Sequence, residues 1–299
     1  MGITRQQALD CFASDDLIGI GMEADAVRRK LHPEGVVSYV LDRAVSCTGS
    51  ETTFDALHDE VREALELGCT GVLLQNSIPP VQKVDTLEGL FTGIKQQFPQ
   101  IWLQGLNASE VLALAEYNTL DLRTLLERFH GAGLNAIASD DLGTPKDDWL
   151  RVHRTAHQIG MPTVATMLFG VGETVEQRID HLEQLRQLQE ETGGFTALLP
   201  VSMQPFANAA WEEPTAVEFL QTLAISRMYL DNIENVQSSW TMQGLKVLQM
   251  GLRFGSNDAG SILPGKSGKT TEEELRRIIR DAGFKPVQRD TVYRTMFLN

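Results

Sequence analysis

Cysteine is scarce in this chain, and no apolar run is long enough to cross a membrane. The three cysteines, Cys11, Cys47 and Cys69, stand far apart, which fits neither a disulfide framework nor closely spaced metal ligands. No apolar run approaches about 18 residues, and the first residues lack the basic and apolar pattern of a signal peptide. We therefore expect a cytoplasmic protein with isolated thiols and no metal site.

Positive charge is also in short supply. Lys and Arg number 26 against 40 Asp and Glu, so the net charge is -14 and the isoelectric point is near 4.9. Such a charge repels phosphate backbones and anionic lipids, and bulk electrostatics therefore argues against nucleic acids and membrane surfaces as partners. No stretch rich in Pro, Gly or Ser divides the 299 residues, so we predict one domain.

Short apolar or β-branched runs alternate with amphipathic helical patterns along the whole chain, which is typical of parallel strands joined by helices. The strand candidates are Val36–Leu41, Gly71–Gln75, Ile101–Gln104, Asn135–Ala138, Thr163–Leu168, Thr196–Pro200, Asn235–Ser238 and Arg253–Ser256. Eight such units favour an α/β fold of the (β/α)8 TIM-like barrel type over an open doubly wound sheet. The carboxyl ends of the strands would then form the functional face.

The predicted barrel occupies residues 36–283. Residues 1–35 form an N-terminal helical extension with helices near Arg5–Cys11 and Met22–Leu31, and residues 284–299 form a C-terminal tail. The segment between residues 174 and 194 reads as a helix, with Ile179, Leu182, Leu185 and Leu188 at three-residue steps and a glycine stop.

Three short patterns suggest chemistry and leave alternatives open. Asp140 and Asp141 follow the fourth strand candidate, where paired carboxylates suit acid–base or metal-assisted work, but their surroundings also read as a loop leading into a helix. Residues 260–267 match the phosphate-binding pattern G-x-x-x-x-G-K-[ST], although the flanking strand and helix are poorly placed for it. His153 and His157 have zinc-compatible spacing without a third ligand, so we interpret them as a solvated helix face.

Several long stretches resemble one family over nearly the whole chain. They include MPTVATMLFGVGETVEQRIDHLEQLRQLQEETGGFTALLP, GLRFGSNDAGS and AGFKPVQRDTVY. They resemble the radical-SAM enzymes of the futalosine route to menaquinone, most closely the dehypoxanthine futalosine cyclases. The resemblance implies a barrel of radical-SAM type that binds a [4Fe-4S] cluster and S-adenosylmethionine above the strand ends.

The chain departs from the family at the cluster loop. After the first strand the family continues into a C-x3-C-x2-C motif, whereas Asp42 and Arg43 are followed here by AVSCTGSETTFDAL. Cys47 falls near a family tyrosine, and one cysteine cannot replace the three thiolates that hold such a cluster. The family's Q-G-G reads Gln75-Asn76-Ser77, which makes S-adenosylmethionine binding doubtful. We predict no [4Fe-4S] cluster and no other cofactor.

Positions that match the family persist elsewhere on the rim. The ligand-binding candidates among them are Thr166, Gln204, Arg227, Gln237, Trp240, Asn257, Asp258 and Ser261. The favoured hypothesis is a barrel without radical chemistry that binds a small metabolite or a partner, either an active paralogue or a second copy. The alternative is a non-radical enzyme for a hydroxyl-rich or nucleoside-like substrate, with Asp140, Asp141 or Asp258 as its catalytic group.

Overall fold

The computed structural model describes residues 2–46, 54–75, 82–138, 144–203, 212–262 and 270–297. The helices within these ranges are α1 (Arg5–Phe12), α2 (Leu17–Leu31), α3 (Phe54–Glu66), α4 (Val84–Gln97), α5 (Ala108–Tyr117), α6 (Leu122–Ala132), α7 (Lys146–Gln158), α8 (Val175–Thr192), α9 (Ala216–Tyr229), α10 (Trp240–Gly251) and α11 (Glu272–Asp281). The strands are β1 (Val36–Ser46), β2 (Gly71–Gln75), β3 (Trp102–Gly105), β4 (Ala136–Ile137), β5 (Thr163–Phe169), β6 (Phe195–Ser202), β7 (Asn235–Val236), β8 (Asp258–Ile262), β9 (Lys285–Arg289) and β10 (Met296–Phe297).

The first eight strands are parallel and follow the chain order around a barrel. Strands β1 to β4 pair successively, strands β5 to β7 pair successively, and β8 returns to pair with β1. A parallel bridge between Gln237 and Asp258 joins the end of β7 to β8. The helices that connect these strands cover the outside, as expected for right-handed crossovers. The predicted barrel is confirmed.

Helix α8 shows how closely local sequence specifies an element. Thr174 caps it, accepting a hydrogen bond from the Gln177 amide while the Gln177 side chain accepts one from the Thr174 amide. Its four leucine and isoleucine residues at three-residue steps are all buried, as their spacing predicts. The helix ends at Gly193, which adopts a positive φ of 61° that a glycine tolerates without strain.

The prediction of the eighth strand is wrong. Residues 253–256 form a turn after α10, held by hydrogen bonds from the Arg253 amide to Met250 and from the Phe254 amide to Gly251. The strand is β8, a short segment with a register shift next to Gly260, whose φ is 75°. Its sequence DAGSI carries little β-propensity, whereas the apolar residues just before it pack against the helices.

The predicted C-terminal tail is part of the sheet. Strand β9 runs parallel to the first half of β1, from Val36 to Val40, while β2 pairs with the second half of β1. Strand β10 then folds back antiparallel to β9. Residues 285–297 therefore lie at the amino end of the barrel, beside its first strand.

The two N-terminal helices are present as predicted and pack outside the barrel. Helix α2 lies along α9, and α1 contacts both α8 and α9. The Ile3 amide donates a hydrogen bond to the carbonyl of Met228, which fixes the start of the chain to the end of α9. Across the described ranges, no helix has both the length and the apolar character that a membrane span requires.

Candidate functional site

Alternation along β1 defines which side chains face the barrel interior. The Tyr39 hydroxyl reaches Glu272 on α11, and Arg43 pairs with Glu63 on α3, so the odd-numbered positions face the outer helices. Ser38, Val40 and Asp42 consequently face inward, because successive side chains of a strand point to opposite faces.

A buried ion pair lies at the floor of the interior. Arg289 on β9 donates from Nε and Nη2 to the two carboxylate oxygens of Asp258 on β8, at 2.5 and 2.9 Å. The Ser38 hydroxyl and the Gly260 amide also donate to this carboxylate. Asp258 is fully buried and Arg289 is 2% exposed. Although burial disfavours the guanidinium charge, Asp258 raises the pKa of Arg289 above its usual value.

Gln237 and Tyr293 extend this network. The Gln237 side-chain amide donates to the Tyr293 hydroxyl at 2.7 Å, and Arg289 donates to the same hydroxyl at 3.0 Å. Burial raises the pKa of Tyr293 above its usual value. The charge of Arg289 lowers this pKa and that of Asp258 raises it, but neither effect is as large as that of burial. The C-terminal segment thus supplies two of the groups that close the barrel floor.

Three of the predicted ligand-binding residues, Asp258, Arg227 and Asn257, hydrogen-bond to other parts of the protein, and their ligand-binding roles stay predictions. Asp258 accepts hydrogen bonds from Arg289 with both oxygens, and its role as a catalytic group stays a prediction. Arg227 is fully buried and donates to the carbonyls of Gly255 and Glu234 and to the side chain of Asn257. Asn257 in turn accepts from the Val236 amide. These contacts join α9 to the start of β8 and are structural.

Asp42 is the interior carboxyl that the sequence analysis noted only as a strand end. It is partly exposed, and its Oδ1 accepts a hydrogen bond from the Thr291 hydroxyl at 2.7 Å. Burial raises its pKa, an effect that the Thr291 hydrogen bond and the charge of Arg289 oppose. The alternation of β1 predicts its inward direction. That Arg289 hydrogen-bonds to Asp258 and not to Asp42 depends on the tertiary structure.

Gly71 gives Asp42 and Thr291 the space they occupy. A Cβ at Gly71 would lie 2.4 Å from Thr291 Oγ1 and 2.7 Å from Asp42 Oδ1. We predict that Gly71→Ala lowers the free energy of unfolding by about 1–3 kcal/mol, because both side chains must shift. Urea denaturation measures the effect. Gly89→Ala on α4, where nothing lies within 4 Å, is the matched control and should stabilise by about 0.5–1 kcal/mol. Equal effects of the two substitutions would refute the steric explanation.

Two inward-facing hydroxyls have buried oxygen atoms without a hydrogen-bond partner. On β5, Thr163 and Phe169 pack toward α7 and α9, so Thr166 faces inward. Ser261 pairs in register with Val40 and shares its direction. The side-chain hydroxyl oxygens of Thr166 and Ser261 both lack a hydrogen-bond partner.

Trp240 donates its ring N–H to the Ser261 carbonyl, which places the indole beside β8. The ligand-binding roles of Thr166, Gln237, Trp240 and Ser261 stay predictions.

Several candidate positions lie outside the described residues. They are Asp140, Asp141, Gln204, Cys47 and the Asn76-Ser77 pair of the altered cofactor loop. The phosphate-loop interpretation is wrong in its described part, because Gly260, Ser261 and Ile262 belong to strand β8. A phosphate loop must follow a strand, so that its free amides can surround the ligand.

The interpretation of His153 and His157 as a solvated helix face is also wrong. His153 is fully buried and stacks on Trp149 with ring centroids 3.8 Å apart. Both histidines contact the Thr163 hydroxyl, His153 through Nδ1 at 2.9 Å and His157 through Nε2 at 2.8 Å. They join α7 to β5. Among the described residues, no group of three or more potential metal ligands lies together.

The two described cysteines do not fit an iron–sulfur cluster. Cys69 is buried before β2, and burial together with the charge of Asp42 raises its pKa to about 12. Gln75 marks the carboxyl end of β2. Cys69 lies six residues earlier, which corresponds to roughly 20 Å along an extended strand. Cys11 lies on α1, outside the barrel helices. Cluster ligation needs thiolates that converge on one point, and these two thiols do not.

Comparison with known proteins identifies relatives along nearly the full length. Residues 194–298 match the family model of the CofH/MqnC C-terminal region. The cyclic dehypoxanthine futalosine synthase of Streptomyces coelicolor is 31% identical, over 97% of this chain and 85% of that protein. The aminodeoxyfutalosine synthase of Thermus thermophilus is 30% identical, over 92% of this chain and 78% of that protein.

A solved structure with the same architecture is that of methylornithine synthase. The TM-score is 0.73, the sequence identity is 15%, and the match covers 96% of this chain and 94% of that chain. At this identity the likeness concerns the fold alone. It agrees with the strand order described above.

Proposed function

The chain belongs to the radical-SAM family of the futalosine pathway, and we propose that this member performs no radical chemistry and instead binds a hydroxyl-bearing metabolite inside its barrel. The observation that carries the proposal is the distribution of its cysteines. Three thiolates must meet beside the carboxyl end of β1 to hold a cluster and leave one iron open. Cys69 and Cys11 lie elsewhere, and Cys47, which is outside the described residues, is the one other cysteine in the sequence.

The length of the alignment also supports the proposal. The alignment with the Streptomyces coelicolor relative spans 338 positions, more than the 299 residues of this chain. Gaps in this chain must account for the difference, so the relative has segments that this member lacks. We propose that a cluster loop after Asp42 and Arg43 is one such segment.

The interior supports metabolite binding. It keeps a partly exposed carboxyl at Asp42 and unpartnered hydroxyls at Thr166 and Ser261, groups that hydrogen-bond to hydroxylated ligands. The relatives are named for futalosine compounds, which makes such compounds the first ligands to test. The free thiols of Cys11 and Cys69 suit a reducing compartment, and we propose the cytoplasm.

Anaerobic reconstitution with iron and sulfide tests the loss of radical chemistry. We expect no visible absorption of a cluster and no stoichiometric iron, because the ligand set is incomplete. The Streptomyces coelicolor relative, treated in parallel, is the positive control and should take up about four irons per chain. Cluster absorption with stoichiometric iron in this chain would overturn the proposal.

Calorimetric titration with dehypoxanthine futalosine and with its cyclic product tests metabolite binding. We expect saturable binding of at least one of them in the micromolar range, about -8 kcal/mol. A stable complex with a cluster-bearing relative in size-exclusion chromatography, without metabolite binding, would replace this proposal with a partner-binding role. A shift in melting temperature that needs a divalent metal and is lost in Asp140→Ala would favour the non-radical enzyme.

A further inference from the structure

The charges at the barrel floor do not balance. Two inward-facing carboxyls, Asp42 and Asp258, are near one guanidinium, that of Arg289. Asp258 takes that guanidinium with both oxygens, whereas the donors to the Asp42 carboxyl are the Thr291 hydroxyl and the backbone amide of Gly71. Asp42 therefore has acceptor capacity that its own side-chain neighbours do not fill, since a carboxylate offers about four lone-pair sites.

The two carboxyls also differ in access. Asp258 is fully buried, and the groups that hold it, Ser38 and Arg289, are each 2% exposed. Asp42 is partly exposed on the same inner face of β1 as Ser38 and Val40. The absent side chain of Gly71 leaves the space that Asp42 Oδ1 and the Thr291 hydroxyl occupy. Asp42 therefore keeps accessible surface on the inner face of β1, whereas Asp258 has none.

The rest of the described interior offers neutral polar groups. Thr166 and Ser261 present hydroxyl groups. Gln104 on β3 has a side-chain amide, on the same face of the strand as Trp102. Among the inward-facing strand residues that the structure describes, Arg289 is the cation, and it is already paired. Phosphate and carboxylate groups are normally bound by free cations or exposed amides. The interior therefore suits an uncharged ligand better than an anionic one at this depth.

We propose that Asp42 is a ligand-recognition residue, which accepts hydrogen bonds from two adjacent hydroxyls on the unphosphorylated sugar or polyol part of the ligand. This inference rests on the proposed function and specifies which end of the metabolite enters the barrel first. A carboxylate matches a vicinal diol because each of its oxygens can accept one hydroxyl proton. Thr291 holds Asp42 Oδ1 in place and acts as a positioning residue.

The electrostatics of the free protein explain why such a ligand gains affinity. Burial raises the pKa of Asp42 more than the Thr291 hydrogen bond, the charge of Arg289 and the Gly71 amide lower it, so its charged form is incompletely stabilised in the free protein. Two hydroxyl donors would supply that stabilisation. Hydrogen bonds to a charged, poorly hydrated group are stronger than those between neutral groups. Removing one of them therefore costs more binding free energy.

A cycle that combines hydroxyl deletion in the ligand with substitution of Asp42 tests the proposal. The probes are dehypoxanthine futalosine and analogues that lack either one of the two adjacent ring hydroxyls, and calorimetry gives each Kd. With the unaltered protein, we expect each deletion to weaken binding about 10-fold or more. In Asp42→Asn, we expect the full probe to bind at least about 10-fold more weakly and hydroxyl deletion to have little further effect.

Asp42→Asn retains an acceptor for Thr291, so we expect it to fold, which its melting curve verifies. Asp15→Asn, at an exposed position before α2, is the matched control and should respond like the unaltered protein. Thr291→Val is the second variant and should reduce discrimination between the probes without changing any charge.

The outcomes separate the two proposals. Equal losses from hydroxyl deletion in the unaltered protein and in Asp42→Asn would overturn the role of Asp42 while metabolite binding stands. If the unaltered protein binds neither the full probe nor its analogues, the proposed function fails and the recognition role fails with it.

Discussion

Asp258→Asn is expected to lower the free energy of unfolding by about 3–5 kcal/mol, because it leaves the buried Arg289 guanidinium without a carboxylate. The pair is almost completely buried, and it joins β8 to β9, two strands on opposite sides of β1. A charge at this depth has lost its hydration, and the attraction of the Asp42 carboxyl replaces only part of that of Asp258. Urea unfolding monitored by circular dichroism gives the difference in free energy.

An exposed ion pair provides the matched control for this prediction. Asp59 contacts Arg62 at 2.9 Å on α3, with side chains 79% and 52% exposed. We expect Asp59→Asn to change the free energy of unfolding by less than about 0.5 kcal/mol, because water screens the pair.

The double variant Asp258→Leu with Arg289→Met should be more stable than Asp258→Asn, since it buries no charge. A cost for Asp258→Asn as small as that of Asp59→Asn would contradict the assignment of the barrel floor.

Acid is expected to destabilise the fold through the histidines between α7, α8 and β5. Burial lowers the pKa of His157 and of His181 to about 4, and it lowers that of His153 well below 6.5. In the unfolded chain these side chains titrate near about 6.5. Between pH 6.5 and 4 the unfolded state therefore binds more protons than the folded state, so stability is full above this range and falls as the pH decreases.

The slope of stability against pH measures this effect. Each of the three histidines contributes at most about 1.4 kcal/mol per pH unit within the window. His153→Asn keeps a side chain able to bond to Thr163 but does not titrate, so it should reduce the slope by about one proton. Thr163→Val is the control, because it removes the shared hydroxyl without removing a titrating group and should lower stability at every pH. An unchanged slope in His153→Asn would refute the prediction.

Local patterns were sufficient for most of the fold. Strand β2 has the predicted bounds, and α8 has its predicted apolar positions and glycine end. These elements follow from contacts between residues a few positions apart, which the periodicity of the sequence records directly. Strand β8 was misplaced because its residues have low β-propensity and are held by pairing with β1, more than 200 residues earlier.

The sequence by itself determined the scarcity of cysteine, the family and the barrel, because composition, long motifs and the alternation of strands and helices are properties of the linear chain. Only the tertiary structure decided which interior carboxyl is available. Asp258 stands in a family motif and was the sequence candidate, yet Arg289, from a segment predicted as a tail, occupies it. Asp42 is left partly exposed beside Gly71 and Thr291. Hydrogen bonding and burial at these sites depend on strands distant in sequence, so no local pattern could assign them.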